Sequence, residues 1–319
     1  GALARAFSLV GALRPASLPP LVVIKPNLCD IVPWEAGVTT DPRWLGVLAG
    51  AMRAVRPDVD IKVVESDAIG AYRGHRSCDE TYERLGYVSA AGDCGVELVN
   101  LSREESLEVV LEGIPFPVRI PSLLLREMYV ISIANLKVHP YERMTGTLKN
   151  NLGLLPDADI SPLHPFLARL IRGLHMLCPA DLCIIDGRIG LEGKGPILGD
   201  PVRCDTLIVG NDALATDETA CRFMGIEPDD VPHLRETARA LNREFGRYEL
   251  AGECRPRCFA FDPEGAHPSI LAKFASRRAH ARLERLSNRW IDRVMRLRRD
   301  PVGFTRGVVS RFGAGRRER

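Results

Sequence analysis

The sequence predicts an α/β fold, with a mostly parallel buried sheet flanked by helices and a basic amphipathic helix at the C-terminal end. Three observations carry that expectation. Seven short apolar, β-branched runs, at residues 21–24, 61–64, 96–101, 130–134, 182–185, 207–209 and 259–261, are bounded by turn residues. Stretches with helical spacing lie between many of them, at 44–55, 166–177, 213–224 and 231–245. The runs are continuously apolar, as strands covered on both faces are.

The chain has 319 residues, 45% hydrophobic and 26% charged, which excludes a disordered, collagen-like or disulfide-scaffold protein. Its formal net charge of +2 hides an uneven distribution. Residues 273–319 carry 15 Lys/Arg against 4 Asp/Glu, whereas residues 1–272 carry 28 against 37. Nine scattered cysteines, an odd number without metal-site or disulfide spacing, favour a reducing compartment. There is no apolar run near the ~18 residues of a membrane span, and residues 1–8 do not read as a secretory signal. A cytoplasmic protein is expected; because the chain opens on Gly rather than Met, its true start is left open.

Taken in order, the strands point to their own trailing loops, because α/β proteins place function beyond the carboxyl ends of strands. After the first run come Lys25, Pro26 and Asn27, then Thr40, Asp41 and Pro42 ahead of a helix. These residues could offer an anion a cation, an amide and free backbone N–H groups, or could be a snorkelling lysine and a helix cap. Cys29 lies close enough to Lys25 in sequence to be an activated thiol, a weak reading without a neighbouring histidine.

The 130–134 run leads to Asn135, Lys137 and His139, then to Thr147, Lys149, Asn150 and Asn151. This is the strongest candidate site. Lys137 and Lys149 could bind phosphate or carboxylate, or act as base or Schiff-base nucleophile, and His139 could exchange protons or ligate a metal. A long solvated loop is the plainer alternative.

Asp186 follows the 182–185 run, with Glu192, Gly193, Gly195 and Pro196 beyond it. The glycine spacing fits neither a P-loop nor a dinucleotide fingerprint. A flexible loop is expected, presenting Asp186 and Glu192 for acid/base work or for a divalent ion such as Mg²⁺, with Asp212 after the next strand as a third ligand. Asp217 reads as a helix-start acid. His164 and His233 read as structural or surface residues, and Cys254 with Cys258 as half of a tetrahedral metal site at most.

Residues 269–300 differ in kind: Leu283, Leu286, Trp290, Val294 and Leu297 form an apolar stripe among arginines, closed by Pro301. The expected division is an α/β domain over 1–268 and a basic helix with a tail over 269–319. That stripe could pack on the parent domain or pair two copies of the chain. Nucleic acid is disfavoured as a partner, because no zinc or aromatic-interleaved motif accompanies the basic residues.

The motifs Lys25-Pro26-Asn27, Thr40-Asp41-Pro42, Glu65-Ser66, Gly86-Tyr87, Asn135-Leu136-Lys137-Val138-His139, the run from Thr147 to Gly153, Asp186-Gly187, Glu192-Gly193-Lys194-Gly195-Pro196 and the run from Asp212 to Asp217 stand in one order. Over roughly residues 20–250 this order resembles the family called domain of unknown function 362. The resemblance implies little chemistry, since the family is largely uncharacterised. Many relatives look like iron–sulfur proteins through an attached ferredoxin module, but this chain has no C-x-x-C-x-x-C run, so such a cluster is not expected.

These readings converge on an enzyme acting on a small anionic substrate by acid/base chemistry of the lyase, isomerase or hydrolase type. Lys137, His139, Lys149, Asp186 and Glu192 are its candidate catalytic residues. Lys25, Asn27, Thr40, Asn150, Gly193 and Gly195 are its candidate substrate contacts. Alternatives are an oxidoreductase served by a separate electron carrier, and a binding or scaffold protein docking through the basic helix.

Overall fold

The apolar runs become strands because alternate residues of each find a separate core. Leu21 and Val23 pack with Val130, Ala134, Cys183 and Ile185 on one side of the sheet. Val22 and Ile24 pack with Ile131, Ile133, Leu182 and Ile184 on the other, the period of two that an extended chain imposes.

The structure, a computed structural model, describes residues 2–11, 18–70, 74–253 and 255–262. The basic segment 269–319 and Cys254 lie outside the described residues. In chain order the strands are β1 (Leu21–Lys25), β2 (Asp60–Glu65), β3 (Ala68–Gly70), β4 (Gly74–Arg76), β5 (Glu97–Asn100), β6 (Ser106–Val109), β7 (Val118–Pro121), β8 (Tyr129–His139), β9 (Arg143–Met144), β10 (Leu182–Glu192) and β11 (Asp200–Gly210). The α-helices are α1 (Ala2–Leu9), α2 (Trp44–Val55), α3 (Cys78–Arg84), α4 (Tyr87–Cys94), α5 (Thr147–Asn150), α6 (Leu167–Leu177), α7 (Ala213–Phe223) and α8 (Pro232–Ala240).

The main sheet has the order β11-β10-β8-β1-β2-β5. Every neighbouring pair in it is parallel except β10 and β11, which are antiparallel. Phe7 of α1, Leu45, Leu48 and Met52 of α2, Tyr82 of α3 and Tyr87 of α4 cover one face. Leu148 of α5, Leu170, Ile171 and Leu174 of α6, Leu214 of α7 and Leu234 of α8 cover the other. This is the α/β architecture that the runs and helical stretches predict.

From β1 the chain builds β2 and β5 outward on one side, then returns to lay β8 against β1's other edge. The strand order therefore reverses between β1 and β8, the switch point at which open α/β sheets bind ligands in a crevice beyond the carboxyl ends of the strands.

Two sequence expectations change here. The glycine-rich stretch after Asp186 is not a loose loop: β10 continues to Glu192 and pairs with β11 as far as Asp200. Its glycines answer close contacts, since a Cβ on Gly187 would collide with the Leu136 side chain and one on Gly195 with the Val138 carbonyl. The 259–261 run adds only an isolated bridge between Phe261 and Gly193.

Candidate functional site

Lys25 ends β1 and is fully buried, and its Nζ is fully engaged by the protein. It donates to Glu65 Oε2 at the end of β2 (2.8 Å), to Pro26 O (2.7 Å) and, weakly, to Asn150 Oδ1 (3.5 Å). Asn150 in turn donates to Lys25 O, Ser132 Oγ and Ile133 O, pinning α5 across β1 and β8. Thr40 Oγ1 receives the Asn27 N–H (2.9 Å) and sits against Ile133 O and Asn135 Oδ1. Lys25, Thr40 and Asn150, expected as substrate contacts, are thus tied to one another and to neighbouring strands, as buried polar groups must be satisfied.

Further out along β8 the balance differs. Lys137 is fully buried, and its Nζ donates to Asn27 Oδ1 (2.6 Å), Val38 O (2.7 Å) and Cys29 Sγ (3.2 Å). No carboxylate pairs with it among the described residues. Lys149 on α5 is partly buried and its Nζ has neither a hydrogen-bond nor an ion-pair partner among the described residues. Burial first, and the Lys137 charge second, push the Lys149 ammonium down to about 8, while Glu142 and Cys29 pull it back up. Two cations near each other, with Glu142 felt at Lys149 but no carboxylate hydrogen-bonded or ion-paired to either among the described residues, make a site that an anion would relieve.

His139 closes β8 and is 8% exposed. The backbone N–H groups of Tyr141 (3.2 Å) and Glu142 (3.1 Å) donate to its Nδ1, so the neutral ring carries its proton on Nε2. Burial, and then the Lys149 charge, hold its pKa well below the ordinary imidazole value. Nδ1 is committed to the turn, and Nε2–H is the donor left for a ligand.

Residues far along the chain set these side chains in place. Asp217, fully buried in α7, accepts from Thr147 N (2.7 Å), Thr147 Oγ1 (2.8 Å) and Leu148 N (2.9 Å), capping the short α5 that carries Lys149. It belongs to the interior of its own helix and acts at the start of another, which its reading as a local helix-start acid misses. Glu142 and His233 pair in the core, with Oε2 and Nδ1 3.0 Å apart and the His233 N–H also on Oε2, so α8 holds the turn that orients His139. His164 is partly buried, with Nδ1 3.0 Å from Ile160 O and its ring against Tyr141. Asp217, His164 and His233 stand out in the sequence without any local sign of what each would hold, and Glu142 carries no local signal.

The proposed carboxylate trio does not come together. Asp186 lies opposite Leu207, Glu192 opposite Asp200, and Asp212 follows Gly210, which lies opposite Cys183. At about 3.3 Å per strand residue, Glu192 stands on the order of 20 Å along the strand from Asp186. Asp212 falls at the other end of the sheet, because β11 runs antiparallel to β10. Each carboxylate is also occupied: Asp186 by Arg188 and by Trp44 Nε1 (2.7 Å), Glu192 by Ala260 N (2.9 Å), Asp212 by Ala215 N (2.7 Å) and Arg243. Among the described residues no three His, Cys, Asp or Glu groups are placed to share a metal ion, so the expected Mg²⁺ site on Asp186, Glu192 and Asp212 does not fit this arrangement. Gly193 (φ 73°) and Gly195, expected as substrate contacts, lie in the β10–β11 turn, Gly193 bridging to Phe261 and Gly195 packed against Val138.

A stretch of 118 residues is 29% identical to the thylakoid-associated protein sll1697 of Synechocystis sp. (strain ATCC 27184 / PCC 6803 / Kazusa), covering 34% of this chain and 36% of that protein. The lactate racemase apoprotein from Thermoanaerobacterium thermosaccharolyticum aligns with a TM-score of 0.39 and 13% identity over 64% of this chain and 48% of that one. The chain thus spans half or less of the length of either protein. The pattern of one family, described as Domain of unknown function (DUF362), matches residues 22–222, well over half the chain and every element that builds the crevice between β1 and β8, and to that family the chain belongs.

Proposed function

We propose that the protein is an enzyme that binds a small anion, a carboxylate or a phosphate, in the crevice between β1 and β8 and acts on it by acid/base chemistry of the lyase, isomerase or hydrolase type. One observation carries the reading. Lys25 faces Glu65 and Arg188 faces Asp41 and Asp186, whereas neither Lys137 nor Lys149 is ion-paired with a carboxylate among the described residues. In this reading Lys137, its donors already spent, supplies a fixed charge. Asn27, whose Oδ1 is held by Lys137, turns its amide N–H groups to the ligand. The free-amine form of Lys149, well populated near pH 8, takes a proton from the substrate. The Nε2–H of His139 donates to the oxygen on which charge gathers. A cytoplasmic setting is part of the proposal, supported by eight cysteines of the described residues that are all free thiols.

Isothermal titration of the full chain with inorganic phosphate and, separately, with pyruvate tests the reading. At least one is expected to bind at a single site, more tightly at pH 7 than at pH 9, because an anion favours the ammonium form of Lys149. Lys149→Met is expected to weaken that binding about tenfold to a hundredfold, the worth of one charge-assisted contact. Binding that is indifferent to both pH and the substitution would contradict the proposal.

A further inference from the structure

We propose that Cys29 is a nucleophile of this site, attacking an electrophilic carbon on an anionic substrate such as a carbonyl compound bearing a carboxylate or phosphate. The anionic class rests on the reading above; the reactivity of the sulfur rests on its own surroundings. Cys29 Sγ receives a hydrogen bond from Lys137 Nζ at 3.2 Å, and that ammonium is fully buried with no carboxylate partner among the described residues. A cation so placed stabilises negative charge on sulfur as it attacks. The Leu28–Cys29 turn is held from behind, Arg76 Nη1 donating to Leu28 O (2.9 Å), and Thr40 anchors Asn27 two residues earlier.

Two further groups point to a ligand rather than to a packed thiol. His139, more than nine-tenths buried, has its Nδ1 committed to the turn while no protein partner takes Nε2 among the described residues. Lys149, whose charge is felt at His139, is likewise without a hydrogen-bond or ion-pair partner among the described residues. Cys78, Cys183 and Cys221 are buried, and burial pushes their thiols well up, whereas Cys29 is only partly buried.

The step balances without an oxidant. The thiol proton passes to the free amine of Lys149, the Sγ–C bond forms, and the carbonyl π pair moves to oxygen, where the Nε2–H of His139 stabilises it. Reversal breaks the same Sγ–C bond and returns the proton to sulfur.

Alkylation of the full chain at pH 7 by iodoacetamide and by iodoacetate, with each site followed by peptide mass spectrometry, tests the inference. In both reagents the S–C bond forms as C–I breaks and iodide leaves. Cys258, which is exposed, serves as the internal reference. Cys29 is expected to react with iodoacetamide about tenfold faster than Cys258, and Lys137→Met is expected to remove that advantage while circular dichroism reports an intact fold. The anionic iodoacetate is expected to favour Cys29 further, and inorganic phosphate to slow it. If Cys29 reacts no faster than Cys258 with either reagent in the wild-type chain, the nucleophile is overturned whatever phosphate titration shows. Fast reaction with iodoacetamide without any iodoacetate preference upholds the nucleophile and overturns the anion site.

Discussion

The difference between Lys25 and Lys137 lies in what their neighbours leave undone. Lys25 has three acceptors, one of them a buried carboxylate, and it holds β1 to β2. Lys25→Met leaves Glu65 uncompensated, so it is expected to cost about 3–5 kcal/mol in urea unfolding with less effect on anion affinity than Lys149→Met; a stability within 1 kcal/mol of wild type would refute the structural role. His139 makes a pH prediction. Its folded pKa is depressed, so the neutral ring contributes stability that is present above the ordinary value of 6.5 and lost as pH falls toward the folded value. Urea unfolding from pH 7.5 to pH 5 is expected to show a loss of about 1.4 kcal/mol per pH unit from this group below 6.5, and His139→Gln is expected to flatten that slope. Identical slopes would contradict it. Lys137, His139 and Lys149 were legible in the sequence as polar residues crowded behind one strand. The roles of Lys25, Thr40 and Asn150 were not, because whether a buried donor faces a ligand or a neighbour depends on partners 40 to 125 residues away.

At the scale of elements, the continuously apolar strands and the helix at Trp44–Val55 follow from the sequence, since burial on two faces and a 3.6-residue period are local patterns. The four-residue α5 does not. Its N-terminal cap is Asp217, 70 residues downstream, and without that carboxylate so short a helix has little reason to form. Asp217→Ala is therefore expected to cost roughly 2–4 kcal/mol and to weaken phosphate binding by displacing Lys149. Asp217→Asn, which keeps one acceptor and removes a buried charge that burial already disfavours, is expected to cost less. Urea unfolding and titration of both variants check this order, and equal losses would remove the capping role. The far half of β10 was equally hidden, because its glycines look like a loop until Leu136 and Phe259 are seen lying against them.

Across the whole molecule, strand order explains why the candidate site lies where it does. The reversal between β1 and β8 brings the 26–30 turn, the end of β8 and α5 to one crevice. The near-neutral formal charge of +2 conceals two lysines concentrated in that crevice, neither ion-paired with a carboxylate among the described residues. Among the described residues no helix is long and apolar enough to cross a membrane. The central claim is that Lys149 is a cation kept for an anion, and its titration tests that most directly. With the lysines reductively methylated using ¹³C-formaldehyde, and the Lys149 signal assigned by its loss in Lys149→Arg, the resonance is expected to titrate near pH 8 in the free protein and at a higher pH with inorganic phosphate or pyruvate bound. A midpoint at the ordinary lysine value of about 10.4, unmoved by either anion, would contradict the account.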